Sequence, residues 1–237
     1  MRLHKYLAKA GVASLRKSEA LIEAKRVKVN NQVITTQGVS VTSDDVVMVD
    51  DQIVTLEEFE YYMLYKPKNT ISSVGDDRNR KDVVSLIKTN ARIFPVGRLD
   101  KDTTGLLLLT NDGEFANKVM HPSNNISKYY KATIAGSINS KLIQQLEKGV
   151  LLDDGSYSDP ASIEFVKKNK DNTTSIGICI HQGKNRIVRR MFEAINKPIV
   201  HLLRYQIGPL TLDGLSVGQY RALTQKEIQQ VTQSHKG

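Results

Sequence analysis

Cysteine is almost absent from this 237-residue chain, and the single one, Cys179, leaves no partner for an internal disulfide. It lies inside the apolar run 176–180, the setting of a core side chain. Clustered metal ligands are lacking as well. The five histidines, His4, His121, His181, His201 and His235, stand singly, and no two have the one-turn spacing of a metal-binding helix, so the site is expected to hold no metal. No stretch reaches the ~18 apolar residues that would span a bilayer, and the opening MRLHKYLAKAG lacks the apolar core of a secretion signal. A cytoplasmic protein with no membrane partner is expected. Internal repeats, low-complexity tracts and heptads are also missing, which leaves a monomer as the default.

What is present is a composition that folds, with 40% hydrophobic and 25% charged residues. The length suits a small domain followed by a medium one. Lys and Arg outnumber Asp and Glu by 34 to 25, for a formal charge of +9, which favours a polyanionic partner and nucleic acid first.

Residues 1–56 read as a small α/β domain. Leu3, Tyr6, Leu7 and Ala10 recur at helical spacing before Gly11. Ser14 can cap a second helix with Ala20, Leu21, Ile22 and Ala24 facing in and Arg16, Lys17, Lys25 and Arg26 facing out as a basic surface. Short strands are predicted at 27–29, 33–34 and 46–49, with Asn30-Asn31 suited to a hairpin turn of positive φ and Asp44, Asp45, Asp50 and Asp51 as turn formers. The acidic stretch 56–60 reads as a linker.

Residues 60–235 read as the larger domain, with strand-like runs at 61–65, 93–96, 106–109, 130–134, 163–166 and 175–180. Helical spacing appears at 114–120, 140–148 and 186–195, and Thr224 with Glu227 forms a capping box for a last helix. The predicted fold class is α+β, with a large, mainly antiparallel sheet. The segment 72–82, with Arg78, Arg80 and Lys81, reads as a basic loop.

Two segments concentrate charge. Between the apolar runs 93–96 and 106–109, Gly97 and Gly105 would let the backbone turn and present Arg98, Asp100 and Asp102 at a sheet edge. Read in isolation, an ordinary turn with aspartates bonded to backbone amides is the commoner explanation. Further on, 184–190 holds four cations in seven residues as a helix begins. Ile187, Val188, Met191 and Ile195 anchor one face, leaving Lys184, Arg186 and Arg190 for phosphates and Arg189 for an inward ion pair. A solvated basic helix has the same pattern.

The string FPVGRLDKDTTGLLLLTNDGEFANKVMHP at 94–122 is similar to the signature of the RsuA-type family of pseudouridine synthases, centred on Gly-Arg-Leu-Asp. YYMLYKPK at 61–68, SKYYKATI at 127–134 and GKNRIVRRMFEAINKPIVHLLRYQIGPL at 183–210 resemble further family blocks in the same order. The first 53 residues resemble the alpha-L RNA-binding domain that often precedes the catalytic one. Many family members have glycine at the place of Asn69 and glutamine at the place of Ile187.

The resemblance implies that Asp100 is the catalytic aspartate, Tyr130 the active-site tyrosine and Arg189 the basic partner of the aspartate. Pseudouridine formation breaks the bond from base to ribose carbon 1, turns the base and rejoins it through carbon 5, so it requires no cofactor. A carboxylate suffices as nucleophile or general base, whether it meets ribose carbon 1 or base carbon 6. An adjacent guanidinium orients it. Tyr130 would stack on uracil, and Arg98 would help to extrude the nucleotide. Ribosomal RNA is the expected partner, with the large subunit preferred and the small subunit as runner-up. The competing reading is a catalytically silent RNA-binding or ribosome-assembly protein. A glycosidase is remoter, because Asp102 stands only two residues from Asp100 and a second, separated carboxyl group is needed.

Changing Arg16 and Lys17 together to Glu is expected to weaken binding to structured RNA and flatten its salt dependence in a titration, and an unchanged affinity and slope would remove the basic helix from the RNA contact.

Overall fold

The computed structural model describes residues 1–74 and 80–233, so Arg78 and His235 lie outside the described residues. The chain divides into two compact units, one made of Met1–Glu60 with Thr89–Arg92 and Asn111–Gly113, the other of Tyr61–Lys88, Ile93–Thr110 and Glu114–Gly237.

In the first unit, helices α1 (Leu3–Lys9) and α2 (Leu15–Glu23) precede strands β1 (Val27–Val29), β2 (Gln32–Val33), β3 (Val47–Val49) and β4 (Gln52–Ile53). Ser14 caps α2 as expected, accepting from the Lys17 amide at 3.3 Å. The strands form an antiparallel sheet in the order β2-β1-β3-β4. Asn30-Asn31 and Asp50-Asp51 have nearly the same positive φ pairs, 48° with 65° and 49° with 65°, the two-residue geometry that joins twisted strands. Leu3, Leu7, Ile22, Val27, Val41 and Val47 make the core.

The inner face of α2 differs from expectation. Ser18 and Ile22 are buried, whereas Ala20 and Ala24 are exposed. The helix also stops at Glu23. Lys25 takes φ 59°, and the amides of Lys25 and Arg26 return to the carbonyls of Ile22 and Leu21 at 2.9 and 3.1 Å, which closes the last turn. Lys25 and Arg26 therefore follow the helix instead of extending its basic face.

The remaining elements are β5 (Tyr61–Lys66), β6 (Phe94–Val96), β7 (Thr104–Thr110), α3 (Gly113–Met120), β8 (Lys128–Ala135), α4 (Ser140–Lys148), β9 (Ser162–Lys168), β10 (Thr173–Ile180), α5 (Ile187–Ala194), β11 (Ile199–Ile207), β12 (Leu210–Thr211), β13 (Tyr220–Ala222) and α6 (Gln225–Thr232). The large sheet runs β13-β5-β7-β11-β8-β10-β9, with β6 on β7 and β12 on β11. Its pairs are antiparallel except β7 with β11, which is parallel. The fold is α+β, with the predicted mainly antiparallel sheet. The capping box at α6 forms, the Glu227 amide donating to Thr224 Oγ1 at 3.3 Å and the Thr224 amide to Glu227 Oε2 at 2.8 Å. Among the described residues no helix is long and apolar enough to cross a membrane.

Strands β11, β12 and β13 go beyond the sequence reading. β11 carries His201, Arg204 and Gln206 among apolar residues, and its pairing with β8 shifts register twice, so no clean two-residue alternation survives. The other two are two and three residues long.

The expected sheet-edge position of the Asp100 turn is also corrected. Every residue of β7 is buried and the strand is flanked by β5 and β11, so the turn enters the interior of the sheet. Gly97 does turn the backbone, at φ 75°, but Gly105 lies within β7. Its φ is 120°, and a Cβ there would come 2.6 Å from the Arg204 backbone nitrogen and closer still to its carbonyl oxygen. Gly105→Ala is expected to lower stability by about 3 kcal/mol in urea unfolding, through combined backbone strain and overpacking.

Candidate active site

The turn between β6 and β7 runs from Gly97 to Thr103, and its carbonyl oxygens have no strand to pair with. Three of them, those of Asp100, Lys101 and Thr103, converge on Lys66, the last residue of β5. Its side chain is completely buried, and its ammonium donates to the carbonyls of Thr103 at 2.8 Å, Asp100 at 3.0 Å, Pro67 at 3.1 Å and Lys101 at 3.3 Å. Burial pulls the Lys66 pKa down to about 8, opposed by the charges of Asp100 and Asp102. Two more contacts hold the turn: the Asn69 amide donates to the Lys101 carbonyl at 2.8 Å, and Ser72 Oγ bonds both the Leu99 amide, at 3.1 Å, and its carbonyl, at 2.9 Å. Asn69 has φ 60°, a left-handed backbone that asparagine adopts more readily than most side chains.

Arg189 projects from α5 against the same turn with only 8% of its side chain exposed. Nε lies 3.7 Å from Asp100 Oδ2 and Nη2 lies 3.5 Å from Asp102 Oδ2. Nη2 also donates to Thr103 Oγ1 and Nη1 to the Ile199 carbonyl, both at 3.3 Å. Nε itself has no hydrogen-bond partner among the described residues, and neighbouring Ile187 is buried where a polar side chain is common in the resembled family. Arg186, at φ 49° before α5, adds a second guanidinium 3.7 Å from Asp100 Oδ2.

Asp100, Arg186 and Arg189 open onto a cavity of about 180 Å³ that Arg98, Tyr130 and Lys184 also line. Lys128 and Arg204 bring its basic side chains to six, against the single carboxylate of Asp100. Such a site attracts phosphodiesters. Tyr130 is buried in the wall, where Arg204 Nη1 donates to its hydroxyl at 3.5 Å and the guanidinium stands 6.0 Å from the ring centroid. Arg204 Nε donates to the Leu106 carbonyl at 2.8 Å, but Nη2 has no partner among the described residues. The Lys128 ammonium donates to the carbonyls of Ile126 and His181 at 3.1 and 3.0 Å, and burial, then the charge of Arg204, brings its pKa down to about 8.

The cavity thus gathers Asp100, Tyr130, Arg189, Arg98, Lys184 and Arg186 from the residues singled out in the sequence. Arg190 requires correction as a phosphate ligand. It points to Asp153 and Asp154, at 2.5 and 2.6 Å, and those ion pairs occupy its guanidinium. Arg26 is likewise held by Asp50, with Nε to Oδ1 at 2.8 Å. Arg16, Lys17 and Lys25 are exposed in the first unit.

Lys66, Lys128, Gln182 and Arg204 escaped the sequence reading. Lys66 and Arg204 sit inside strand runs, where one charged residue normally marks the solvent side, and only tertiary pairing turns them inward. Lys66→Met keeps the aliphatic length while leaving buried carbonyls without a donor. It is expected to cost about 3 kcal/mol in calorimetric or urea unfolding and to lower turnover by loosening the turn; unchanged stability would rule out the clamp.

The model of the RNA pseudouridylate synthase family matches residues 60–194, and that of the S4 domain matches residues 1–47. The chain is 47% identical over 232 residues to ribosomal large subunit pseudouridine synthase B of Bacillus subtilis (strain 168), covering 97% of this chain and 95% of that one. It is 40% identical over 234 residues to a protein of Aquifex aeolicus (strain VF5) named as an uncharacterized RNA pseudouridine synthase, covering 98% and 93% of the two chains. A crystal structure titled as that of pseudouridylate synthase superposes with a TM-score of 0.70 at 30% identity, covering 98% of this chain and 99% of the other. With an aspartate turn, a basic cavity and these similarities running along almost its whole length, the chain belongs to the RNA pseudouridylate synthase family and carries an S4 domain at its N-terminal end.

Proposed function

We propose that this protein isomerises a specific uridine to pseudouridine in large-subunit ribosomal RNA, with Asp100 as nucleophile or general base. The observation that carries the proposal is the position of the Asp100 carboxylate, which borders a cavity lined by six basic side chains and lies 3.7 Å from the nearly buried guanidinium of Arg189. Arg189 orients the carboxylate, Tyr130 offers an aromatic wall for the extruded base, and Arg98 on the exposed rim assists extrusion. Lys184 and Arg186 bind flanking phosphates.

The bond from N1 to ribose carbon 1 breaks, the base turns, and carbon 5 bonds to ribose carbon 1. The proton on carbon 5 leaves to solvent and N1 gains one, so atoms and electrons balance without an added reactant. The large-subunit preference rests on the name of the Bacillus subtilis relative. Residues 1–56 serve as the RNA-binding domain, with Arg16, Lys17 and Lys25 on phosphates, and residues 60–235 as the catalytic domain. The protein acts as a cytoplasmic monomer.

A catalytically silent RNA-binding protein would have no use for Asp100, Tyr130 and Arg189 around one cavity. Tritium release from RNA labelled at uridine carbon 5 separates the two readings. The wild type is expected to release tritium from the large-subunit transcript and not the small-subunit one, while Asp100→Asn binds RNA but loses release by a factor on the order of 10⁴. Release from neither transcript by the wild type, despite binding, would favour the silent protein.

A further inference from the structure

Gln182 follows β10 and lines the same cavity, yet none of the roles above employs it. Only 8% of the residue is exposed, and neither its amide nitrogen nor its amide oxygen has a hydrogen-bond partner among the described residues. A buried carboxamide with both ends unpaired is costly unless a ligand completes it. Arg204, 4% exposed, presents an unpartnered Nη2 in the wall of the same cavity. The unmet demand is therefore for one donor and two acceptors, one of the acceptors facing a guanidinium.

We infer that Gln182 is a specificity-determining residue that reads the imide edge of the uracil, its amide oxygen accepting from N3–H and its amide nitrogen donating to the adjacent carbonyl. The assignment rests on the isomerase reading. Uracil places N3–H between two carbonyls, so the edge offers the donor and both acceptors that Gln182 and Arg204 lack. The reaction adds a second reason. Turning the base by half a revolution about the line from N3 to carbon 6 exchanges N1 with carbon 5, and in the same motion exchanges the two carbonyls while N3–H stays on the axis. A carboxamide bound to N3–H and one carbonyl therefore finds an equivalent pair of bonds before and after the turn. Gln182 holds the freed base in the cavity without opposing its rotation, whereas a ligand to the carbon 5–carbon 6 side would lose its partner.

The test is single-turnover tritium release by the full-length wild type, Gln182→Leu and Gln182→Glu, each rate taken relative to the wild type at the same pH. Gln182→Leu keeps the bulk and removes both hydrogen bonds, so release is expected to slow by about 10- to 100-fold at every pH, with RNA affinity in filter binding changed by less than about twofold. Gln182→Glu keeps the length and one acceptor but puts a carboxylate oxygen in place of the donor, where it repels the uracil carbonyl, so it should be as slow as the Leu variant although it fills the same space. A Leu variant that releases tritium at the wild-type rate overturns the assignment. So does a Glu variant that releases tritium at the wild-type rate, because that pattern marks a residue that only fills space. Absence of release from the wild type is visible in its own lane, and it removes the isomerase reading together with this one.

Discussion

The Lys66 ammonium is the point to which the candidate site is tied. A turn inserted into the middle of a sheet brings peptide carbonyls into a place where no neighbouring strand can pair with them, and such groups are expensive to bury without donors. One compact cation with three protons meets the oxygens of Pro67, Asp100, Lys101 and Thr103 together. An arginine's planar fork could not converge on the same point. With its main chain gathered on Lys66, the turn holds the Asp100 side chain towards the cavity and the guanidiniums of Arg186 and Arg189.

Topology does the rest of the positioning. The parallel pairing of β7 with β11 places Gly105 against the Arg204 main chain and lets the Arg204 guanidinium reach the Leu106 carbonyl and the Tyr130 hydroxyl. Tyr130 is the direct partner of Arg204 on β8, so two adjacent strand pairs deliver an aromatic ring and a cation to one wall. The result is a cavity whose six basic side chains surround one carboxylate. A local positive potential of that kind concentrates a phosphodiester chain, while the guanidiniums nearest Asp100 orient its carboxylate, separate requirements met by the same charges.

The high positive charge of the chain overstates how many cations are available. Arg190 is spent on Asp153 and Asp154, and Arg26 on Asp50. Both belong to clusters that look uniformly basic when read along the chain, because their acidic partners lie 24 to 37 positions away. Arg189, one residue before Arg190, turns the opposite way to the Asp100 turn. A helix rotates about 100° per residue, so adjacent arginines in one run necessarily face different surroundings.

Local chemistry made much of this protein legible in its sequence: Ser14 and Thr224 as caps, Asn30-Asn31 as a hairpin turn, the apolar periods of α4 and α5, and a charged turn between apolar strands at Asp100. Each depends on atoms within a few residues of one another, and for that reason a sequence determines it directly. Tertiary structure alone decided that β7 is central, that Gly105 is an approach point, that Arg190 is neutralised, and that Lys66, Gln182 and Arg204 are buried polar groups of the site. Those outcomes follow from strand neighbours and ion pairs far apart in the chain, where a residue's burial is set by what folds against it and not by what precedes it.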